Sequence, residues 1–177
     1  MAEEKIIIYG SKYGASKRYA EELARRTGIQ AIDYHDLKNA SAYSTVIYIG
    51  GLYAGGVEGL SKLVGHTPDD GRRRWIIVTV GLSDPAEPST ARDIETALRR
   101  QLPAGVFGHT ATFHLRGAID YSKLSSAHRV IMKLMYMSLK KTPPKNRSAS
   151  TQAMIDTYNQ KVDFVDFSSL DPIIAAL

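Results

Sequence analysis

The 177 residues are 44% hydrophobic, enough to bury one core and few for two domains. There is no cysteine, which excludes thiol phosphatases, cysteine amidotransferases and redox disulfides, and no run approaches the ~18 apolar residues of a membrane span. The formal charge of +5 is local: Tyr121 to Arg147 holds seven of the 23 basic residues and no acidic one, leaving 16 against 18 in the remainder.

Met1-Ala2-Glu3-Glu4 lacks the basic-then-apolar layout of a signal peptide, so a cytoplasmic location is expected. From there, strand and helix patterns alternate. Lys5 to Tyr9 reads as a buried first strand. Gly10-Ser11-Lys12-Tyr13-Gly14-Ala15-Ser16 is a turn of small and hydroxyl-bearing residues, and an amphipathic helix begins near Ser16 and stops at Gly28. Gln30 to Asp33 is a short second strand, followed by a poorly periodic stretch to Ser44. Thr45 to Ile49 is a third strand, ending in the glycine-rich loop Gly50 to Gly56, with a helix expected over Val57 to Val64.

Arg72-Arg73-Arg74 reads as a solvated turn before the fourth strand, Trp75 to Val80. Gly81-Leu82-Ser83-Asp84-Pro85 ends that strand, and a helix is expected from Thr90 to Leu102. Thr110 to Leu115 is the fifth strand. Beyond it come a long helical stretch from Leu124 to Leu139, a Pro-rich loop and a helix over Thr151 to Asn159. Lys161 to Phe164 either extends the fifth strand or forms a short added one, and a closing helix runs from Ser169 to Ala176. Short, apolar strands separated by helices predict an α/β fold: a doubly wound five-stranded parallel sheet in the order 2-1-3-4-5. Residues 1–177 are read as one domain, with the basic segment at about 121–159 inserted on it.

Such a sheet binds ligands beyond the carboxyl ends of its strands, between strands one and three. Ser11 and Ser16 can donate hydroxyl hydrogen bonds there, Gly14 allows a close backbone approach, and free amides at the helix start point to the same place: a phosphate cradle. Neither G-x-G-x-x-G nor G-x-x-x-x-G-K-[ST] follows a strand, and the strand ends Tyr9-Gly10 and Ile49-Gly50 lack the acids of a receiver domain. Tyr53, flanked by Leu52, Ala54 and Gly55, can hold a ring over a flat ligand, and Gly81, Leu82, Ser83 and Asp84 supply a third rim. Each has a plainer reading: Ser16 as a helix N-cap, Tyr53 as a solvent-facing tyrosine, Asp84 as a turn former. None of the five histidines forms a spaced pair with a carboxylate on a predicted helix face, so no metal is expected.

The Ser11 to Ser16 loop, Ser-x-x-Gly-x-Ser, resembles the FMN-phosphate loop of the flavodoxin family, with Tyr13 in place of the usual central Thr. The run Phe113 to Leu124, with Arg116-Gly117 leading to Tyr121 and then a basic Met-rich helix, is similar to bacterial flavodoxin-domain proteins of the menaquinone-dependent protoporphyrinogen IX dehydrogenase type. The resemblance implies noncovalent FMN. Ser11, Lys12, Tyr13, Gly14, Ala15 and Ser16 would hold its phosphate, and Leu52, Tyr53, Ala54 and Gly55 would surround its ring together with Gly81 to Asp84. It further implies an oxidoreductase passing electrons from a porphyrinogen to quinone, with Arg116 and Gly117 as candidate substrate contacts and no assigned catalytic side chain. An electron-carrying flavodoxin that docks to redox proteins, and an interaction module that has lost flavin, are the alternatives.

On the stretch Leu124 to Lys141, at ~100° per residue, Arg129, Lys133 and Lys140 fall within about 40°. Leu124, Ala127, Ile131, Leu134 and Met135 gather opposite. Three readings follow: a surface helix packed on the domain by that apolar face, a peripheral membrane contact with anionic lipid, or a docking surface for an acidic redox protein. Nucleic acid is not expected, because aromatic and basic residues are not interleaved.

Overall fold

A computed structural model describes residues 4–53, 55–68 and 71–177. Along the chain the elements are β1 (Lys5–Gly10), α1 (Ala15–Thr27), β2 (Ala31–Asp33), β3 (Thr45–Tyr53), β4 (Gly56–Val57) and α2 (Leu60–His66). Next come β5 (Arg74–Gly81), α3 (Pro88–Gln101), α4 (Ala104–Phe107), β6 (Thr110–Arg116) and β7 (Ala118–Asp120). The chain continues with α5 (Ser126–Lys140), α6 (Ala149–Asp156), β8 (Lys161–Asp163) and α7 (Asp171–Ala175). The parallel strands stand in the order β2-β1-β3-β5-β6, the order expected.

Strand register decides the two cores. Ile7, Ile47 and Ile76 pair across β1, β3 and β5, and the neighbouring row is Ile8, Tyr48 and Ile77. Successive side chains point to opposite faces, so the first row packs with Tyr19 and Leu23 of α1 and Ile173 of α7. The second row packs with Leu60 of α2 and Ile94 and Leu98 of α3. Each fully buried Ile contributes about 1.5–3 kcal/mol, which explains why β1 is almost wholly aliphatic. The same register lines up Gly10 with Gly50 and Gly51 with Val80, and this glycine-rich edge leaves room beyond the strands.

Several local expectations are corrected. The stretch from Gly50 is not a free loop: β3 continues to Tyr53 and turns back as β4, pairing Leu52 with Val57 and Tyr53 with Gly56. Gly55 at φ 79 serves that turn, and the helix expected at Val57 starts only at Leu60, after Gly59 at φ 76. Of the two readings of Lys161 to Phe164, the short added strand is the one found: Lys161 to Asp163 pairs antiparallel with Ala118 to Asp120. Arg73 is buried rather than solvated, donating to the carbonyls of Tyr43 (3.0 Å) and Pro68 (2.8 Å).

The largest correction concerns α5. Of the five apolar residues expected to face the domain, Leu124 is buried and Met135 half-buried, but Ala127, Ile131 and Leu134 are exposed. The packed side is instead His128, Met132, Met135, Tyr136 and Leu139. Met132 joins Ile119, Tyr121 and Leu124 in a third small core, and the Tyr136 ring stacks on Tyr158 at 4.0 Å. Those packing partners set the rotation of the helix.

Candidate functional site

At the carboxyl edge of the sheet lies a cavity of about 450 Å³. Ser11, Lys12, Tyr13, Ala15 and Ser16, expected to hold a phosphate, line it, as do Leu52, Tyr53 and Gly55 from the β3–β4 hairpin. Gly81, Leu82 and Ser83 after β5 complete that side, with Gly117 beside them. Three loops far apart in sequence are thus brought to one place, because they follow three adjacent parallel strands.

The loop before α1 is preorganised by its own chemistry. Gly14 takes φ 92, a conformation costly for any other residue but glycine, and its amide donates to Ser11 Oγ at 3.0 Å. Gly14 is also the N-cap position, and no side chain caps the helix there. Ser16 is therefore not the cap; it is buried inside the first turn, with its hydroxyl on the cavity wall near Gly51. Basic Lys12 is steadied by Glu58 at 3.4 Å and lies 3.8 Å above the Tyr53 ring.

Tyr13 is the most informative residue of the loop. Its hydroxyl is buried and has no hydrogen-bond partner. Burial first, then the nearby Tyr53, Tyr121 and Glu58, push its pKa up to about 12, so it stays a neutral donor. A buried donor left unpaired costs about 1–3 kcal/mol, which an acceptor reaching that hydroxyl would recover. Together with the uncapped α1 terminus and the Lys12 ammonium, this donor set fits a phosphate ester. Tyr53 and Leu82 beside it offer an apolar, aromatic wall that fits a flat ring system.

Other expected residues are used differently. Asp84 is exposed, and its carboxylate accepts from the Ala86 amide at 2.9 Å, a turn-forming role outside the cavity wall. Arg116 does not line the cavity: Nη2 donates to the Leu82 carbonyl at 3.1 Å and the guanidinium lies 3.8 Å over the Phe164 ring. It braces the Leu82 loop instead of offering its charge to a ligand. Gly117 does reach the cavity, and its amide donates to the Gly81 carbonyl at 2.7 Å. Ala54 lies outside the described residues.

The family model described as "Flavodoxin domain" matches residues 6–146. The chain belongs to the flavodoxin-domain family. Flavodoxin domains typically bind FMN and serve redox chemistry, and the Ser11–Ser16 loop, Tyr53 and the Leu82 loop occupy the edge of the sheet where such a ligand is expected. No curated protein matches the chain.

Part of this flavodoxin domain's cavity was not anticipated from the residues. Met132 and Met135 of α5, Met154 of α6, and Thr96 and Arg100 of α3 all line it. His128, the first inward residue of α5, stands edge-on to both Tyr13 and Tyr53, with ring centroids 6.4 Å apart in each pair. The sequence signal was the methionine content of the basic helix; its rotation, which brings those methionines inward, depends on Tyr121, Tyr158 and Val162 packing beneath it. Among the described residues no cluster of His, Asp and Glu could hold a metal ion. None of their helices is long and apolar enough to cross a membrane.

Proposed function

We propose that this protein is an FMN-dependent oxidoreductase with a substrate pocket next to the flavin, and that its reaction is oxidation of a porphyrinogen with quinone as acceptor. The observation that carries the reading is the methionine-lined extension of the cavity, walled by Met132, Met135 and Met154. An electron carrier needs only an exposed ring edge; a wall of flexible apolar side chains beside it suits a large apolar substrate. The similarity of the Phe113 to Leu124 run to the menaquinone-dependent protoporphyrinogen dehydrogenase type supports the choice of substrate.

In this reading Ser11, Tyr13, Ser16 and the first amides of α1 hold the phosphate, with Lys12 supplying charge, and Tyr53, Leu82 and Gly81 bound the ring. FMN, when bound, supplies the electron-accepting chemistry. The protein's own part is to bind, orient and exclude water: Arg116 fixes the Leu82 loop, and α5 closes the side next to Tyr13. No side chain is assigned as nucleophile or general base.

The test has two stages. Acid release from the purified or FMN-reconstituted protein should yield a flavin with the mass of FMN; release of FAD, or no flavin after reconstitution, overturns the cofactor assignment. Turnover of protoporphyrinogen with a menaquinone analogue should then be measurable. Electron exchange with a reductase in the absence of that turnover would make the chain a carrier.

A further inference from the structure

The outward face of α5 is unusual for the surface of an α/β domain. Val130, Ile131, Leu134 and Met137 are 58%, 45%, 63% and 53% exposed, while the opposite side of the same helix is packed on the domain. At about 100° per residue, Val130, Leu134 and Met137 form one stripe about 60° wide, pointing away from Met132 and Leu139. Arg129, Lys133 and Lys140 run along one border of that stripe, and Lys141 lies in line with it. No acidic residue interrupts the segment from Tyr121 to Arg147. Exposed apolar side chains in a continuous row mark a surface that is covered when the protein works.

We infer that α5 seats the protein on an anionic lipid bilayer, its Val130–Leu134–Met137 stripe entering the acyl boundary and its lysines meeting the headgroups. Three candidate occupants differ in their fit. A second copy would bring seven cations against seven, with no carboxylate in either segment to separate them. A protein partner's contact usually centres on Trp, Tyr or Arg in a recess, whereas this face is a single convex helix whose outward side chains are aliphatic and Met. An apolar stripe bordered by long cationic side chains that can reach sideways to headgroups is the pattern of an interfacial helix. Because none of the described helices can span a bilayer, the contact lies on the membrane and not through it. This inference does not depend on the flavin reading, and its test needs no flavin.

The experiment is flotation of the full chain with vesicles of phosphatidylcholine alone or of equal amounts of phosphatidylcholine and phosphatidylglycerol. The parent should float with the anionic vesicles, stay behind with the neutral ones, and release as salt is raised. Each lysine near an anionic surface contributes about a factor of five, so Lys133→Gln, Lys140→Gln and Lys141→Gln together should weaken binding on the order of a hundredfold. Val130→Ser, Leu134→Ser and Met137→Ser together should weaken it at every salt concentration, with circular dichroism unchanged. Should the serine variant misfold, the lysine variant and its lost salt dependence decide alone. Failure of the parent to bind anionic vesicles overturns the proposal, and so does binding that the folded serine variant retains in full. A parent dimer that the serine variant turns into a monomer assigns the face to a second copy and also overturns it.

Discussion

Tyr13, in the loop before α1, and His128, on the inward side of α5, stand edge to face with their ring centroids 6.4 Å apart and their planes at 76°. Tyr53 closes the group, 6.3 Å from Tyr13 and 6.4 Å from His128. The basic segment is therefore joined to the candidate phosphate loop by direct ring contact. The inward side of α5 belongs to the candidate site, while its outward side is free to meet something else; one helix serves both.

That contact leads to the first prediction. An edge-to-face ring pair contributes about 0.5–1.5 kcal/mol beyond area burial. His128→Ala removes two such pairs and loosens the wall behind Tyr13, so the FMN dissociation constant should rise roughly fivefold or more. Titration of apoprotein with FMN, followed by flavin fluorescence, measures it. An unchanged constant would mean that Tyr13 and Tyr53 hold their positions without the helix.

Tyr13→Phe separates ligand binding from packing. The ring and its contacts remain, and a buried hydroxyl that has no partner is removed. The apoprotein should be as stable as the parent or more stable by about 1 kcal/mol, while FMN binding weakens about fivefold to tenfold through loss of one hydrogen bond to the phosphate. Urea midpoints of the apoprotein and FMN titrations give the two readouts. If both move in the same direction, the hydroxyl is not waiting for the ligand.

The strand order, the three loops that line the cavity and the segregation of charge were legible because they are local: aliphatic runs, glycines at strand ends and a segment without acids. What escaped the sequence depends on contacts between distant elements. The hairpin at Tyr53 needs Val57 to return beside Leu52, and nothing in the glycine-rich run says whether it will. Arg116 sits at the right strand end for a substrate contact, but Phe164 and the Leu82 carbonyl claim its guanidinium. On α5 the apolar residues outnumber what one face can bury, so helical periodicity alone could not choose between the Met132 side and the Leu134 side.

Two glycines should respond oppositely to alanine. A Cβ on Gly10 would run into the Glu58 carbonyl oxygen and lie 2.7 Å from the Tyr48 hydroxyl, which itself donates to that carbonyl. Backbone must move to admit it, so Gly10→Ala should destabilise by about 1–3 kcal/mol. Gly65, in the last turn of α2, has nothing within 4 Å of its Cβ position. Gly65→Ala should stabilise by about 0.5–1 kcal/mol, by restricting the unfolded chain. Urea unfolding of both variants gives the comparison, and a stable Gly10→Ala protein would show that the Tyr48–Glu58 contact is softer than its spacing implies.

The last prediction concerns pH. His114, in β6, pairs with Thr79 across the sheet, and its Nδ1 lies 2.9 Å from the Thr79 hydroxyl. Burial lowers its pKa below the ordinary value of 6.5, against a smaller opposing effect of the hydrogen bond with the Phe113 backbone. Below pH 6.5 the unfolded chain then takes up a proton at this residue more readily than the folded one. Stability from this source is complete above pH 6.5 and declines as pH falls from there through the lowered folded value. His114→Asn keeps a polar atom for Thr79 but cannot titrate, so its urea midpoint should depend less on pH between 7.5 and 5.5 than the parent's does. Parallel profiles for parent and variant would show that the imidazole is as easily protonated in the sheet as in the unfolded chain, and that burial does not hold it neutral.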